Sequence, residues 1–427
     1  MSKREQSAVS SRRRYLKLAG VSGVAALAGC SGGGGETTTS TSGGTTTGTT
    51  NGGGNVEEVI IGSNHPLSGG LASTGVKMDN AVKLAAQRKN EAGGIEALGG
   101  ADVKVISGDN QGEQSLGGQV SNDLIDQGAS VLTGCYSSPV TTAATQAAER
   151  AQTPFVVSVA ADDAVLQGRG LDYSYRPQPP AKRMARDYAE YVPEVIRQNG
   201  GTIETAGLFY VNNSYGQAIR ESLNEYLPQN GVEVTVETAL EYGADSADTQ
   251  VTKLKQSDPD TVIATTYVPG GVLLSQAMQD QDYRPPHLTA CASATFLDDE
   301  ALADIGDFAN GVLDNNYALN NTIDKTAAVR EAFRNQYDKG MDGSTGMAYV
   351  ATEVIIQAIE ETGSTDPEAI NETLSSIQVD DHIAAMGTID FQENGENANA
   401  LAPVNQVQDL AAKVVYPEEY AEAQPQI

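Results

Sequence analysis

Cysteine and histidine, which most often hold metals or form disulfide frameworks, are rare in this sequence. The 427 residues include three cysteines and three histidines, and no CxxC or HxxxH spacing occurs. Neither a zinc site nor a disulfide-stapled fold is therefore indicated. The sequence also has no GxSxG, Walker or GxGxxG motif, so nucleophilic catalysis and nucleotide binding have no sequence signature. We predict a protein that is not an enzyme and that holds no metal and no cofactor.

Basic residues are also few. Lysine and arginine number 27 against 56 aspartates and glutamates, which gives a formal charge of −29. A surface of this charge repels phosphate, so we expect no nucleic acid partner. The hydrophobic share of 39% is nevertheless too high for a disordered acidic chain. Our hypothesis is a folded protein from a halophilic source, in which surface carboxylates keep the protein solvated in concentrated salt.

The one dense basic run lies near the amino terminus. Residues 12–14 are all arginine and precede an apolar stretch from Leu18 to Ala28, which is too short to span a bilayer. This order is typical of a twin-arginine export signal. The stretch ends in Leu27-Ala28-Gly29-Cys30, which resembles the lipobox of secreted lipoproteins. We predict that residues 1–29 form a signal peptide and that Cys30 is lipidated.

A segment of almost uniform composition follows. Residues 31–55 consist mainly of glycine, threonine and serine and offer no apolar side chain for burial. Such a composition predicts a flexible tether, which with the lipidated cysteine covers residues 30–55. We therefore place the rest of the protein at the extracellular face of the cell membrane, anchored by the lipid on Cys30.

From residue 56 onward, apolar runs of strand length alternate with segments of helical periodicity. Apolar residues in the first helical segment recur at Met78, Ala81, Val82 and Ala85. Alternation of this kind is typical of parallel sheets covered by helices, so we predict an α/β fold. The predicted strands are 58–62, 103–107, 130–133, 155–159, 206–211, 232–240, 261–266 and 287–291.

The strands fall into two series separated by the segment Arg176-Pro177-Gln178-Pro179-Pro180. Proline at this density fits neither a helix interior nor a central strand, so the segment predicts a crossover between two lobes. Residues 344–362 predict a buried helix, and the short strand-like runs after Gly387 predict an antiparallel or mixed end. Since ligands of open α/β sheets lie beyond the carboxyl ends of the strands, we expect a small-molecule cleft between the lobes.

Several short motifs occur in an order that matches a known family. They are Pro66-Leu67-Ser68-Gly69-Gly70, Asn90-Glu91-Ala92-Gly93-Gly94-Ile95, Gly134 to Thr141, Asn213-Ser214-Tyr215-Gly216, Thr266 to Gly270 and Gly387 to Phe391. With these motifs the chain resembles the branched-chain amino acid binding proteins of ABC importers, which are periplasmic-binding-protein-like receptors of type I. The resemblance covers about Val56 to Pro417. It implies two doubly wound lobes with central, mainly parallel sheets, joined by a hinge of three crossovers.

The resemblance also implies a division of the chain and a set of partners. Residues 56–178 with 312–382 would form lobe 1, and residues 179–311 with 383–427 would form lobe 2. The protein would act as a monomer that binds a small ligand and delivers it to the permease and ATPase subunits of an ABC importer. The alternative is a sensor component for amino acids, amides or urea that acts through a partner receptor.

For the first lobe, the resemblance implies ligand contacts at Tyr136, Ser137 and Ser138. Ser138 beside Pro139 is also a helix-start pattern, with the serine as N-cap and the proline at the first helical position. A helix N-terminus that faces the cleft would suit a carboxylate. Ser138 would hold the ligand's carboxylate, as the equivalent serine does in the family, or it would only cap the helix.

Four further positions complete the predicted site. Ala160 and Asp162 follow a strand where the family offers a carbonyl and a hydroxyl group to the ligand, although an aspartate there often caps the next helix. Tyr215 and Tyr267 match two cleft tyrosines of the family, which would cover the ligand and hydrogen-bond it. The alternative for both tyrosines is that they simply pack at their turns.

The chain departs from the family after the strand 287–291. Amino acid receptors of the family usually place an acidic residue there to meet the ligand's ammonium group, whereas this chain has Cys291, Ala292 and Ser293. Either Asp162 supplies the negative charge, or the ligand is an amide, a urea-like compound or a carboxylate without an ammonium group. We expect Asp162 to replace the acid and the ligand to be an amino acid of the branched-chain or aliphatic type. Cys135 and Cys291 both lie near the predicted cleft, where we expect buried thiols rather than a disulfide.

Overall fold

The structure is a computed structural model that describes residues 56–427. The predicted signal peptide (1–29), the lipidation site Cys30 and the tether (30–55) lie outside the described residues. Between residues 56 and 427, no helix is both long enough and apolar enough to cross a membrane.

A first sheet lies in the amino-terminal half of the described chain. Its strands are β1 (Glu58–His65), β2 (Asp102–Asp109), β3 (Val131–Gly134), β4 (Phe155–Val157) and β5 (Ser174–Tyr175). Their order across the sheet is β2-β1-β3-β4-β5, and all neighbouring strands are parallel. The central strands β3 and β4 are buried throughout, as expected for a parallel sheet with both faces covered.

Residues 56–427 form eleven α-helices. They are α1 (Ala72–Glu91), α2 (Gln114–Asp126), α3 (Ser138–Ala151), α4 (Ala181–Gln198), α5 (Ser214–Tyr226), α6 (Asp248–Ser257), α7 (Val268–Asp280), α8 (Asp299–Ile305), α9 (Asp324–Tyr337), α10 (Gly343–Thr362) and α11 (Pro367–Leu374). Val131 of β3 belongs to the hydrophobic cluster with α1 and α10, and the next residue, Leu132, belongs to the cluster with α2 and α3. Because successive strand residues point to opposite faces, these helices cover the two faces of the first sheet.

A second sheet of seven strands follows. Its strands are β6 (Thr205–Val211), β7 (Glu233–Leu240), β8 (Thr261–Thr265), β9 (His287–Cys291), β10 (Leu313–Asn315), β13 (Val404–Gln408) and β14 (Ala411–Tyr416), and a separate pair consists of β11 (Gln378–Val379) and β12 (Ile389–Asp390). The order across the large sheet is β14-β13-β10-β9-β8-β6-β7. Strands β6 to β10 pair in parallel, and β13 and β14 add an antiparallel edge. The predicted α/β class and the mixed end of the chain are confirmed.

The chain passes between the two sheets three times. It crosses first between β5 and α4, through the predicted proline segment, then between β10 and α10, and finally between β12 and β13. Arg176, in the first crossing, forms an isolated β-bridge with Glu396 in the third, and its guanidinium pairs with the Glu396 carboxylate. The first and third crossings are therefore tied to each other next to the site described below.

The lobe boundaries at 312 and 383 stay a prediction. The assignment of strands to the two sheets suggests where these boundaries would move. Strand β10 (Leu313–Asn315) belongs to the second sheet, whereas β12 pairs with β11. A division that followed the sheets would therefore move the boundary at 312 to a point after Asn315. It would move the boundary at 383 to a point before Val404.

Candidate ligand-binding site

A small cavity lies between the two sheets, where βα turns of both meet. Its volume, counted as the space open to the centre of a water-sized sphere, is about 20 Å³. Within the described chain, no charged side chain lines it. Its lining consists of Tyr136, Ser138, Val159, Ala161, Tyr215, Tyr267, Ala292, Ala294, Asn316, Tyr317 and Ser344. Four predicted ligand contacts are thereby brought together: Tyr136, Ser138, Tyr215 and Tyr267.

The wall on the side of the first sheet is built at the turn from β3 to α3. Gly134 ends the strand with a φ of 140°, and a Cβ atom there would lie 2.1 Å from the carbonyl oxygen of Asn64, so only glycine fits. Helix α3 begins at Ser138, which corrects the prediction by one position, because Ser137 is the N-cap residue and its side chain makes no capping bond. The Ser138 hydroxyl accepts a hydrogen bond from the amide of Asp162 at 3.2 Å.

The wall on the side of the second sheet carries two tyrosines at helix starts. Tyr215 is the second residue of α5, and Tyr267 is the N-cap residue of α7. Their ring centroids are 5.2 Å apart, and the Tyr136 ring from the other wall lies 5.4 Å from that of Tyr267. The rings thus form one aromatic cluster that bridges the two walls.

Both tyrosine hydroxyls have partners within the protein. Tyr215 donates to the carbonyl of Ala292 at 2.5 Å, and Tyr267 donates to the hydroxyl of Ser137 at 3.2 Å across the cavity. Burial raises the pKa of Tyr267 to about 12 and that of Tyr215 well above its usual value. The phenols therefore remain neutral hydrogen-bond donors at any physiological pH.

The remaining predicted contacts, Ser137, Ala160 and Asp162, lie next to the cavity without lining it. The carbonyls of Ala160 and Asp162 accept hydrogen bonds from Arg176 Nη1 at 2.7 and 2.8 Å. The Asp162 carboxylate accepts from the amide of Ala164 at 2.9 Å and so caps a short 3₁₀ helix. This geometry favours the alternative in which Asp162 caps the helix. The role of Asp162 as counter-charge for the ligand stays a prediction.

The cavity also contains residues that sequence analysis did not single out. Asn316 and Tyr317 follow the three-residue strand β10, and Ser344 is the second residue of α10. A Cβ at Gly343 would lie 2.2 Å from the carbonyl oxygen of Tyr317, so this glycine lets the helix start approach the β10 turn. The N-cap pattern Asp342-Gly343-Ser344 was the one signal in the sequence that could have located this part of the wall.

Two buried carboxylates near the cavity are held by a lysine. Lys77 of α1 pairs with Asp298, which precedes α8, and with Asp342, the N-cap of α10, the latter at 2.7 Å. Each aspartate uses its second oxygen to cap its own helix, Asp298 through the amide of Ala301 and Asp342 through that of Thr345. This ion triad joins helices of both sheets, because α1 and α10 pack on the first sheet and α8 packs beside α7 of the second.

A further carboxylate lies behind the cavity. Asp314 on β10 is fully buried and accepts a hydrogen bond from Asn316 Nδ2 at 3.2 Å, while its Oδ1 has no partner in the described residues. Burial raises the pKa of Asp314 to about 8, although the hydrogen bonds from Asn316 and from the amide of Ser293 lower it. The side chain is therefore mainly protonated at neutral pH and brings little negative charge to the site.

The two cysteines near the site are free thiols. Cys135 and Cys291 are both buried, and the prediction of buried thiols is confirmed. Burial raises the pKa of the Cys135 thiol to about 12, so it is inert as a nucleophile. In the part of the chain that the structure describes, no group of three or more His, Cys, Asp or Glu side chains is placed to hold a metal ion.

Comparison with known proteins supports a single family. Residues 58–411 match the family described as periplasmic binding protein. The Leu/Ile/Val-binding protein homolog 8 of Brucella melitensis is 28% identical over 374 residues, which cover 85% of this chain and 92% of that protein.

Two solved structures illustrate the likeness in fold. The branched-chain amino acid transporter substrate binding protein LivJ of Streptococcus pneumoniae, in complex with isoleucine, has a TM-score of 0.72 at 21% identity and covers 84% of this chain and 100% of its own. A solute binding protein of R. palustris, in complex with benzoate, has a TM-score of 0.73 at 14% identity, with 86% and 99% coverage. At these identities the likeness shows the fold alone. Because the family match spans most of the chain, the protein belongs to the periplasmic binding protein family, which is a family of solute-binding proteins, and has the type I fold.

Proposed function

We propose that the protein is the extracytoplasmic receptor of an ABC importer and captures a small carboxylate-bearing solute between its two sheets. One observation carries this proposal: a single buried cavity receives Ser138 from one wall and Tyr215 and Tyr267 from the other. A cavity closed by two separate sheets needs the sheets to move apart before a ligand can enter. Ligand binding would then favour the closed form through contacts that exist only there.

The order of events follows from the two walls. The carboxylate would first bind at the start of α3, where Ser138 lines the cavity at a helix N-terminus. Closure would then bring the tyrosine wall over the ligand and exclude water. The three crossings near Arg176 are the hinge of this movement.

The remaining parts of the proposal concern location and partners. A lipid on Cys30 and the tether of residues 30–55 would hold the receptor at the extracellular face of the membrane. A permease with ATPase subunits would recognise the closed, monomeric receptor and take up the ligand. The names of the relatives support a branched-chain amino acid as the reference ligand for the first binding measurements.

A thermal-shift panel with the mature chain in multimolar salt tests the proposal. The panel would contain aliphatic amino acids, small carboxylates, short-chain amides and urea. A ligand at 100 times its dissociation constant should stabilise the protein by about 2.7 kcal/mol, which is a clear shift in melting temperature. The shift should shrink in Ser138→Ala at the same ligand concentration. If no compound in the panel raises the melting temperature of the wild type, the proposal is wrong.

A further inference from the structure

The cavity offers hydrogen-bond donors to a ligand. The hydroxyls of Ser344 and Tyr317 have no hydrogen-bond partner in the described residues, although both residues are buried and line the cavity. Ser138 accepts a hydrogen bond from an amide, so its own proton remains free. Asn316 uses one Nδ2 proton toward Asp314 and retains the other.

Several of the acceptors next to these donors are already occupied. Among the lining residues, the carbonyl of Ala161 accepts from the amide of Ala181 at 2.6 Å, and that of Ala292 accepts from Tyr215. The Asn316 side-chain oxygen accepts from the amide of Tyr317 at 2.8 Å. Arg176 holds the carbonyl of Ala160. A ligand group that must donate hydrogen bonds would therefore compete with bonds that the protein already makes.

The carboxylates around the cavity mostly have partners already, although Oδ1 of Asp314 has none in the described residues. Asp162 caps a 3₁₀ helix. Asp298 and Asp342 share Lys77 and cap their own helices. Asp314 lies behind Asn316 and is held in a buried position that favours its protonated form. None of these four side chains is among the lining residues, so a buried ammonium group would meet no direct counter-charge.

Helix geometry adds a positive potential. Helices α3, α5, α7 and α10 all begin at the cavity, where Ser138, Tyr215, Tyr267 and Ser344 occupy the N-cap or the first turn. Each N-terminus carries roughly half a positive charge, which stabilises an anion and opposes a cation. The free donors, the occupied acceptors and the helix N-termini therefore all favour an anionic ligand that accepts hydrogen bonds.

From these contacts we infer that the ligand is a small monocarboxylate without an ammonium group, rather than an amino acid. A carboxylate only accepts hydrogen bonds, whereas an amino acid or an amide also brings N–H donors that need acceptors. This inference rests on the proposed function and narrows its ligand class.

Matched ligands of equal carbon skeleton test the inference by isothermal titration in multimolar salt. One set is 4-methylpentanoate, L-leucine and 4-methylpentanamide, and the other is phenylacetate, L-phenylglycine and 2-phenylacetamide. In at least one set, the carboxylate should bind at least ten-fold more tightly than the amino acid and the amide. Equal or tighter binding of the amino acid or the amide in both sets would overturn the inference and leave the proposed function in place. If none of the six binds, both fail.

Two variants, with one control, test the physical cause of the preference for a carboxylate over an amino acid. Tyr215→Phe frees the carbonyl of Ala292 as an acceptor, so the preference for 4-methylpentanoate over leucine should narrow. Tyr242→Phe is its control, because it removes a tyrosine hydroxyl next to Tyr267 from a residue that does not line the cavity, and it should leave the ratio unchanged. Ser344→Asp places a carboxylate in the first turn of α10, where it also suits the helix dipole, and should reverse the preference. If the ratio of the affinities for 4-methylpentanoate and leucine stays unchanged in both Tyr215→Phe and Ser344→Asp, the proposed causes are wrong. The preference would then not come from occupied acceptors or from a missing counter-charge.

Discussion

The two walls of the cavity present different types of residue. The wall on the side of the first sheet presents small hydroxyl residues at helix starts, Ser138 on α3 and Ser344 on α10. The wall on the side of the second sheet presents the tyrosines of α5 and α7, whose hydroxyls already have partners. The first wall thus offers two serine hydroxyls to a ligand, whereas the second adds the free donors of Asn316 and Tyr317 and most of the aromatic surface. This difference predicts that the serines of the first wall hold the ligand's carboxylate and that the tyrosines of the second mainly close the space.

Conformational strain distinguishes the second wall as well. Ala292 has a φ of 62°, which is unfavourable for a residue with a side chain and costs about 1–2 kcal/mol. Its amide donates to the carbonyl of Asn315 at 2.9 Å, while its own carbonyl accepts from Tyr215. Ala292, near the position where the family resemblance led us to expect an acid, thus uses its backbone carbonyl to accept a hydrogen bond from Tyr215.

The largest expected effect comes from the ion triad that links the walls. Lys77→Met leaves Asp298 and Asp342 buried without their cation, which should cost about 3–5 kcal/mol of unfolding free energy. Because the triad joins helices of both sheets, the variant should also have a larger radius of gyration in the absence of added ligand. Denaturant unfolding and solution scattering measure the two effects. Lys83→Met, on an exposed position of the same helix with only Asp79 as partner, is the control. A Lys77 variant as stable and as compact as that control would show that the triad does not hold the walls together.

A second effect concerns Asp314, behind the wall of the second sheet. Its pKa near 8 means that the folded protein keeps a proton which the unfolded chain has lost above pH 4. Stability therefore falls as the pH rises from 4 to 8 and does not change further above 8. Asp314→Asn should remove this slope and raise the unfolding free energy at pH 8 by on the order of 5 kcal/mol, with no difference near pH 3. Asp304→Asn on the exposed face of α8 is the control. Parallel pH profiles of wild type and Asp314→Asn would contradict the buried, protonated state.

Ser138→Ala tests the polar role of the first wall. A hydrogen bond to a charged group contributes about 1.5–3 kcal/mol, so the affinity for the best ligand of the panel should fall about 10- to 100-fold while the fold is retained. Thr142→Ala, one turn further along α3, removes a hydroxyl that bonds only to the helix backbone and should leave the affinity unchanged. Equal losses in the two variants, or none in either, would mean that Ser138 only starts the helix.

The smallest expected effect is at Asp162. Asp162→Ala should lower the unfolding free energy by about 1 kcal/mol through loss of the 3₁₀ cap, without a change in ligand affinity. Asp162→Asn can still cap and should restore the stability. Titration calorimetry and thermal unfolding of both variants make the distinction. A ten-fold loss of affinity in both would instead support the counter-charge role expected from the sequence.

The parts of the fold that follow local patterns were predictable. Buried strands such as β4 and β8 contain continuous apolar runs. Ser138, Tyr215 and Tyr267 could be placed at the cavity through the resemblance of the turns after β3, β6 and β8 to the known family. The strands β5, β10, β11 and β12 are two or three residues long. Their pairing is set by tertiary contacts, so no periodicity identified them or the nearby residues Asn316 and Tyr317.

Other parts depend on contacts between distant residues. Sequence analysis assigned no helix to residues 181–198, because α4 follows a proline pair and carries Pro193 in its interior. It also could not distinguish the two roles of Asp162, since the choice depends on Arg176 and on how the chain turns toward Ala164. The ion triad joins residues 221 and 265 positions apart, beyond the range of any local pattern.

Solution scattering with and without ligand is the most direct test of closure by two walls. The measurement would use the mature chain in multimolar salt and the ligand with the largest thermal shift, with Ser138→Ala as the binding-deficient comparison. The radius of gyration of the wild type should decrease at saturating ligand, and that of Ser138→Ala should decrease only at correspondingly higher concentrations. A radius of gyration that stays the same at ligand saturation would contradict the central claim that the two walls close on the solute.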